Sequence, residues 1–272
     1  MHGDAPHLIP DWPAPPGVRA LMTTRGSGPQ EGASAAPRQF FNLGEHVGDA
    51  APAVAANRAR LVRTLGARPV FLNQVHGVQV ARLRPAMPDG QSADAAISTE
   101  PGLACTVLVA DCLPVLLCDR AGTAVAAAHA GWRGLAGGVL EQVFERFTAH
   151  VRVDKARIAI NNIANEYLAW LGPCIGPGAF EVGAEVRAAF AASDAGAVGC
   201  FVPHGPGKFL ADLPALARRR LAALGVTQVF GNDGSAAWCT VTQRERYFSH
   251  RRDQALLGGT GRMAACVWLA SQ

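Results

Sequence analysis

The sequence predicts an α+β protein folded as one domain. Apolar runs of strand length alternate with helix-period patterns through most of the chain, without the regular strand–helix rhythm of a doubly wound fold. A G-x-G-x-x-G turn after a strand is absent, as is a G-x-x-x-x-G-K-[ST] loop, so ordinary dinucleotide and P-loop sites are not supported. The 272 residues, 49% hydrophobic and 17% charged, suffice to bury a core without a disulfide or metal to hold it.

Taken in order, residues 1–17 are proline-rich and read as an extended N-terminal segment. Val18 to Thr24 reads as a strand ending at Arg25, and the small polar residues 26–39 as a loop. Asp49 with Pro52 marks a helix start, and Gly66 its end, with Val54, Leu61, Val62 and Leu65 on one face. Val70–Leu72 and Val78–Leu83 read as a strand pair with NQVHG at the turn, followed by a loop over 84–92. Leu103–Val109, Val115–Cys118 and Thr123–Ala128 read as three strands, the first of buried type. Leu135, Val139, Leu140, Val143, Phe144 and Phe147 recur at helical spacing and predict a helix from Leu135 to His150. Tyr167–Leu171 reads as a strand, Gly183–Ala192 and Leu213–Leu224 as helices, the second with three exposed arginines, and Val226–Phe230 and Met263–Leu269 as strands.

Charge and cysteine usage narrow the function classes. Lys plus Arg number 25 and Asp plus Glu 21, a net +4 spread along the chain, which argues against a nucleic-acid partner. Seven cysteines without a C-x-x-C pair argue against a disulfide scaffold or a structural zinc knuckle. The N-terminus lacks the basic and apolar regions of a secretory leader. The most apolar window, Leu103–Cys118, contains Asp111 and Pro114 and is too short to span a membrane. These features predict a reduced, cytoplasmic protein without a membrane partner. Nothing reads as a dimer seam, so a monomer is expected.

Three residues carry potential chemistry: His76 in NQVHG, Cys112 in ADCLPVLL and His129 in AAAHAGWRG. Each sits where an apolar strand meets a Gly- or Pro-containing turn, the place where side chains leave the core. A cysteine in such a place is most often a small buried hydrophobe. Asp111, a charge inside a very apolar run, needs a reason to be there. If the three converge, two imidazoles and a thiolate suit zinc with an open fourth position, as in catalytic zinc sites. Alternatively, Cys112 is a nucleophile with His76 or His129 as its base.

Arginines in glycine-rich settings form the second feature. Arg25 ends TTRG, Arg133 lies just before a helix start in HAGWRG, and Arg251 and Arg252 lie in FSHRRD. Arginine forks match phosphate, and a helix N-terminus suits an anion. Asn42 and His46 lie in the glycine-flanked FNLGEHVGD, where turn-making is the plain alternative.

Together TTR, NLGEHVGD, NRARL, NQVHG, ADCLPVLL, HAGWRG, WLGPCIGPGAFEVG, ADLPAL, FSHRRD and TGRMA resemble one family, from about Ala20 to Leu269. It is that of the bacterial YfiH-like proteins and the human laccase-domain protein, formerly called polyphenol oxidases. The resemblance implies a single domain over 1–272 of two packed mixed β-sheets flanked by helices, an αββα-like four-layer sandwich. It implies a metal site at His76, Cys112 and His129. It also implies phosphorolysis of adenosine, inosine, guanosine and methylthioadenosine, adenosine deamination in some members, and an editing role in cell-wall precursor synthesis. On that basis zinc, with copper as the alternative, is the expected cofactor, and a nucleoside and phosphate are the expected small-molecule partners. Asp111 or His46 would shuttle a proton, and Arg25, Arg133 and Arg251 would hold phosphate, with Asn42 and His46 at the substrate. The chain departs from the family pattern in three places: a longer NNIANEYLAWLGP stretch, His250 where tyrosine is usual, and the poorly matched loop 26–39. Eight histidines without an H-x-H pair argue against a multicopper oxidase, although a His₂Cys site accepts copper. A Cys–His hydrolase or amidase acting on cell-wall material, and a non-catalytic binding module, are the readings from other classes.

Overall fold

In the computed structural model, which describes residues 7–26, 33–150 and 166–271, two large sheets pack face to face. The first contains β1 (His7–Leu8), β2 (Val18–Thr23), β3 (Arg68–Val70), β6 (Leu103–Val109) and β14 (Met263–Leu269), in the order β1-β2-β14-β6-β3. The second contains β4 (Val80–Arg82), β5 (Ala95–Ser98), β7 (Leu113–Asp119), β8 (Val125–Ala130), β9 (Tyr167–Leu171) and β13 (Gln228–Gly231), in the order β13-β9-β7-β8-β5-β4. Both are mixed: β3 runs parallel to β6, β4 to β5 and β13 to β9, and the other pairs are antiparallel.

The long apolar runs follow from this layering. A strand covered on both faces has no solvent side, so its sequence need not alternate with polar residues. On β6, Cys105, Val107 and Val109 face the second sheet, while Ala104 and Leu108 face outward. On β7, Leu116 and Cys118 face inward against Trp170, and Val115 and Leu117 face the helices. Helix α1 (Ala51–Leu65) covers the first sheet through Leu61 and Leu65. The second is covered by α2 (Trp132–Gly137), α3 (Val139–His150), α4 (Ala184–Ala191) and α5 (Leu213–Ala223), through Leu135, Val143, Phe147, Phe190 and Leu216 among others. The four-layer αββα expectation therefore holds. A three-stranded antiparallel sheet of β10 (Glu181–Gly183), β11 (Phe201–Pro203) and β12 (Lys208–Ala211) is an addition, as are β5 and a last helix, α6 (His250–Leu257).

Several expectations are corrected. The segments around Val70 and Val78 are not a strand pair, because β3 joins the first sheet and β4 the second. The residues between them cross from one sheet to the other. The helix expected over 135–150 starts earlier and breaks at Gly138, whose φ of 95° lies in the left-handed region that favours glycine. Val62 is exposed rather than packed. Asp49 does not cap α1; its Oδ1 accepts from Ala50 N and its Oδ2 from Asn42 Nδ2. Of the three arginines on α5 only Arg219 is exposed, while Arg218 and Arg220 are bound into the structure. Residues 1–6, 27–32 and 151–165, on which parts of the expected extended segment, the loop 26–39 and the longer insertion fall, lie outside the described residues. No helix among the described residues is long and apolar enough to cross a membrane.

Candidate active site

The site forms where the chain passes between the sheets. Cys112 directly precedes β7 and His129 lies near the end of the neighbouring strand β8, where it pairs with Pro114. His76 approaches on the crossing between β3 and β4, with φ 61°. Its loop is pinned at both sides. Gln74 accepts from Leu108 N (2.7 Å) and donates to Leu108 O (2.9 Å), at the end of β6. Asp94, fully buried just before β5, accepts from the backbone N–H groups of Val75, His76 and Gly77 at 3.2, 2.9 and 2.6 Å.

Asp94 also lies 2.9 Å from His129 Nδ1, which leaves Nε2 for the cavity. An orienting carboxylate behind a ligand histidine fixes its tautomer and ring direction. The sequence reading missed Asp94. The signal was available, since SADAAIS places a charge against an apolar run, as at Asp111.

The three ligand atoms of His76, Cys112 and His129 lie within 4.8 Å of one another, with Cys112 Sγ 3.8 Å from His76 Nε2. The rings of His76 and His129 meet edge to face at 4.8 Å between centroids. Gly131 keeps this space open: a Cβ there would lie 2.8 Å from Cys112 Sγ and 3.3 Å from His76 Cδ2. Two imidazoles and a thiolate in this cradle can hold a metal ion. Burial pushes the Cys112 thiol up, but His129 and His76 outweigh it and bring it down to about 6. Burial lowers His129, while Cys112 and Asp94 outweigh it and raise it to about 9. Each of the two groups thus favours the charged form of the other.

The cluster lies in the wall of a cavity of about 360 Å³, the size of a small-molecule site. Leu72, Leu108, Trp132, Ile175, Phe180 and Leu213 give it apolar walls. Its polar wall includes Gln74, Asp111, His46, His250, Arg251 and Arg262. Asp111 has φ 89°, and both its carboxylate oxygens are engaged, by Thr240 Oγ1 (2.5 Å) and Arg251 N (2.6 Å). The apolar-run aspartate therefore ties the Cys112 turn to α6. Burial lowers the His46 imidazole, and the nearby cations Arg262 and Arg58 lower it further.

Of the arginines expected at phosphate, only Arg251 lines the cavity; its Nη2 donates to Glu181 O. Arg25 donates to Arg244 O and lies over the Phe248 ring, outside the cavity wall. Arg133 is exposed and stacks over Trp132. Asn42 is buried, with Oδ1 accepting from Gly44 N and Arg262 N and Nδ2 donating to Gly44 O and Asp49. It shapes the turn that carries His46 and does not reach the cavity. His250, Arg262 and Gln74 are wall residues that sequence reasoning did not assign.

The family described as multi-copper polyphenol oxidoreductase laccase matches residues 19–270. A Pseudomonas aeruginosa protein named purine nucleoside phosphorylase is 50% identical over 263 residues, 96% of this chain and 98% of its own. The Escherichia coli purine nucleoside phosphorylase YfiH is 49% identical over 264 residues, with the same coverage. A crystal structure of a Neisseria meningitidis protein superposes with TM-score 0.85 at 44% identity, covering 98% of this chain and all of that one. The structure of Bacillus licheniformis YfiH gives 0.83 at 25% identity over 98% of this chain and 97% of that one.

Proposed function

Because this chain belongs to the multi-copper polyphenol oxidoreductase laccase family, we propose that it is a metal-dependent purine nucleoside phosphorylase. Its substrates would be adenosine, inosine, guanosine and methylthioadenosine, with adenosine deamination as a second activity. The observation that carries this reading is the His76–Cys112–His129 cluster set in an apolar-walled cavity. The names of relatives matched over 98% of their own length support it. The donor set fits zinc, with copper as the alternative. A multicopper oxidase needs several copper sites, and the described residues offer one three-ligand cluster.

The chemistry that zinc supplies in such a site is Lewis acidity and activation of water. In phosphorolysis a phosphate oxygen bonds to the ribose C1′ as the bond from C1′ to the purine nitrogen breaks. The electron pair leaves with the purine, which takes up a proton. Trp132 and Phe180 offer flat apolar surface to a purine and exclude water from it. Asp94 holds His129 in one orientation throughout. Arg251 is fixed by Glu181 O at the wall, where a guanidinium favours developing negative charge. His46, kept neutral at pH 7 by burial and its cationic neighbours, is the group we assign to accept and pass a proton. Asp111 is less suited, since both its oxygens already accept hydrogen bonds.

Chromatography of products from adenosine, with and without phosphate, tests the reading. Adenine released only with phosphate supports it; inosine formed regardless of phosphate makes deamination the main activity; neither product sinks both. A specific geometry favours a second reading, a Cys–His hydrolase. The Cys112 thiolate faces His129, which Asp94 orients, as in a nucleophile–base–acid array. That reading predicts activity lost on alkylation but untouched by chelators.

A further inference from the structure

Of the arginines first expected at phosphate only Arg251 reaches the cavity, since Arg25 and Arg133 lie outside its wall. A second chamber of about 200 Å³ adjoins the cavity and shares His46, His250 and Arg262 with it. Arg38, Val47, Gln254 and the turn Gly258–Thr260 complete its wall, which contains no aspartate or glutamate among the described residues.

The two arginines there are built in rather than loose on the surface. The Arg262 stem packs against Gly44, where a Cβ would lie 2.7 Å from its Cγ, and its backbone N–H is held by Asn42. Its guanidinium is half-buried, donates to Gly261 O, and makes no ion pair with a carboxylate among the described residues. Arg38 lies against Gly48 and Gly259, where a Cβ at either would meet Nη2 at 3.4 or 2.6 Å. It donates to Val47 O, on the turn that carries His46. Burial of the Arg262 guanidinium outweighs the nearby Cys112 and Asp111, with which it makes no direct ion pair, and a bound anion would offset that cost.

We propose that this chamber is a phosphate site, with Arg38 and Arg262 as its cationic walls and His46 and His250 at the mouth it shares with the metal-cluster cavity. The inference rests on the phosphorolysis reading only for the source of the phosphate. The same chemistry would bind either free inorganic phosphate, the co-substrate, or the phosphoryl group of a nucleoside monophosphate seated with its base in the larger cavity. A phosphate here lies beside the cavity, with His46, His250 and Arg262 shared between the two.

The test is a calorimetric titration of the purified full chain with inorganic phosphate, and separately with adenosine 5′-monophosphate and adenosine. Arg38→Gln, Arg262→Gln and Arg262→Lys are compared with wild type, and Arg219→Gln serves as a control on an exposed arginine. Saturable binding of phosphate or of the monophosphate is expected. It should weaken at least about tenfold in both glutamine variants and partly recover in Arg262→Lys, because each removes charge-assisted hydrogen bonds. Adenosine affinity should stay within about twofold in Arg38→Gln, since Arg38 lines the smaller chamber and not the cavity. Preference for inorganic phosphate identifies the co-substrate; preference for the monophosphate identifies a nucleotide, and either supports the site. In turnover with adenosine, Arg38→Gln should raise KM for phosphate and leave KM for adenosine nearly unchanged. If no purine is released, the phosphorolysis reading falls while the titration still decides the site. Equal affinity in wild type and both glutamine variants, or no saturable binding of either phosphate, overturns the proposal. Melting curves and the two separate arginine positions distinguish lost binding from lost fold.

Discussion

Gly131 follows β8 by one residue and contributes to the site by lacking a side chain. Its φ of −62° and ψ of 158° suit any residue, so alanine leaves the start of α2 undisturbed. The added methyl would sit 2.8 Å from Cys112 Sγ. Gly131→Ala is therefore expected to lower bound metal per molecule at least about tenfold, with the melting midpoint little changed, as metal analysis beside a thermal scan would read. At this scale the sequence was informative where a residue type is rare in its setting. His76, Cys112 and His129 stood out as reactive groups against apolar strands, and the structure brings them together. Arg133 stacks over Trp132 in solvent, and a guanidinium beside a glycine reads the same in sequence whether it turns inward or outward. At Asn42 a turn-making amide and a ligand-binding one use the same atoms, here engaged by Gly44, Asp49 and Arg262.

Helix α6 shows what periodicity overlooks. Asp253 is its only buried residue, so HRRDQALL carries no apolar stripe to read. Its caps were the legible signal: Ser249 Oγ accepts from Arg252 N, Asp253 Oδ2 accepts from Ser249 N, and Gly258 ends it in the left-handed region. Burial opposes ionisation of Asp253, but Arg252, the Ser249 N–H and the Thr260 hydroxyl outweigh it and hold the carboxyl below its usual range. A depressed carboxylate contributes stability above its unfolded pKa and loses it as pH falls through the folded one. Asp253→Asn is thus expected to destabilise by about 1–3 kcal/mol at pH 7. It should also flatten the loss of stability below about pH 4, measured by urea unfolding across pH. The long helix expected from Leu135 failed for the opposite reason. Its apolar spacing continues across Gly138, and only the backbone reversal there separates α2 from α3.

The two-sheet sandwich was implied by the family resemblance rather than by any run of residues, since strand order depends on pairings far apart in the chain. Leu116 is fully buried between the sheets, opposite Trp170 on one side and Ala127 on the other. Leu116→Ala is expected to cost about 2–5 kcal/mol in denaturant unfolding. Metal bound per folded molecule should stay the same, because Cys112 and His129 lie at strand ends and His76 on the crossing loop. The edge assignments around Val70 and Val78 could not be read locally, because each strand's partner comes later in the chain. Strand β14 carries the largest such separation. It is latest in chain order yet central in its sheet, pairing β2 on one side and β6 on the other, with Cys266 opposite Thr106 160 residues before it. On a translating ribosome at ~5–20 residues per second, β6 therefore waits roughly 8–30 s for its neighbour. Throughout that interval its apolar edge is an open template, so the nascent chain should depend on chaperone cover until β14 emerges.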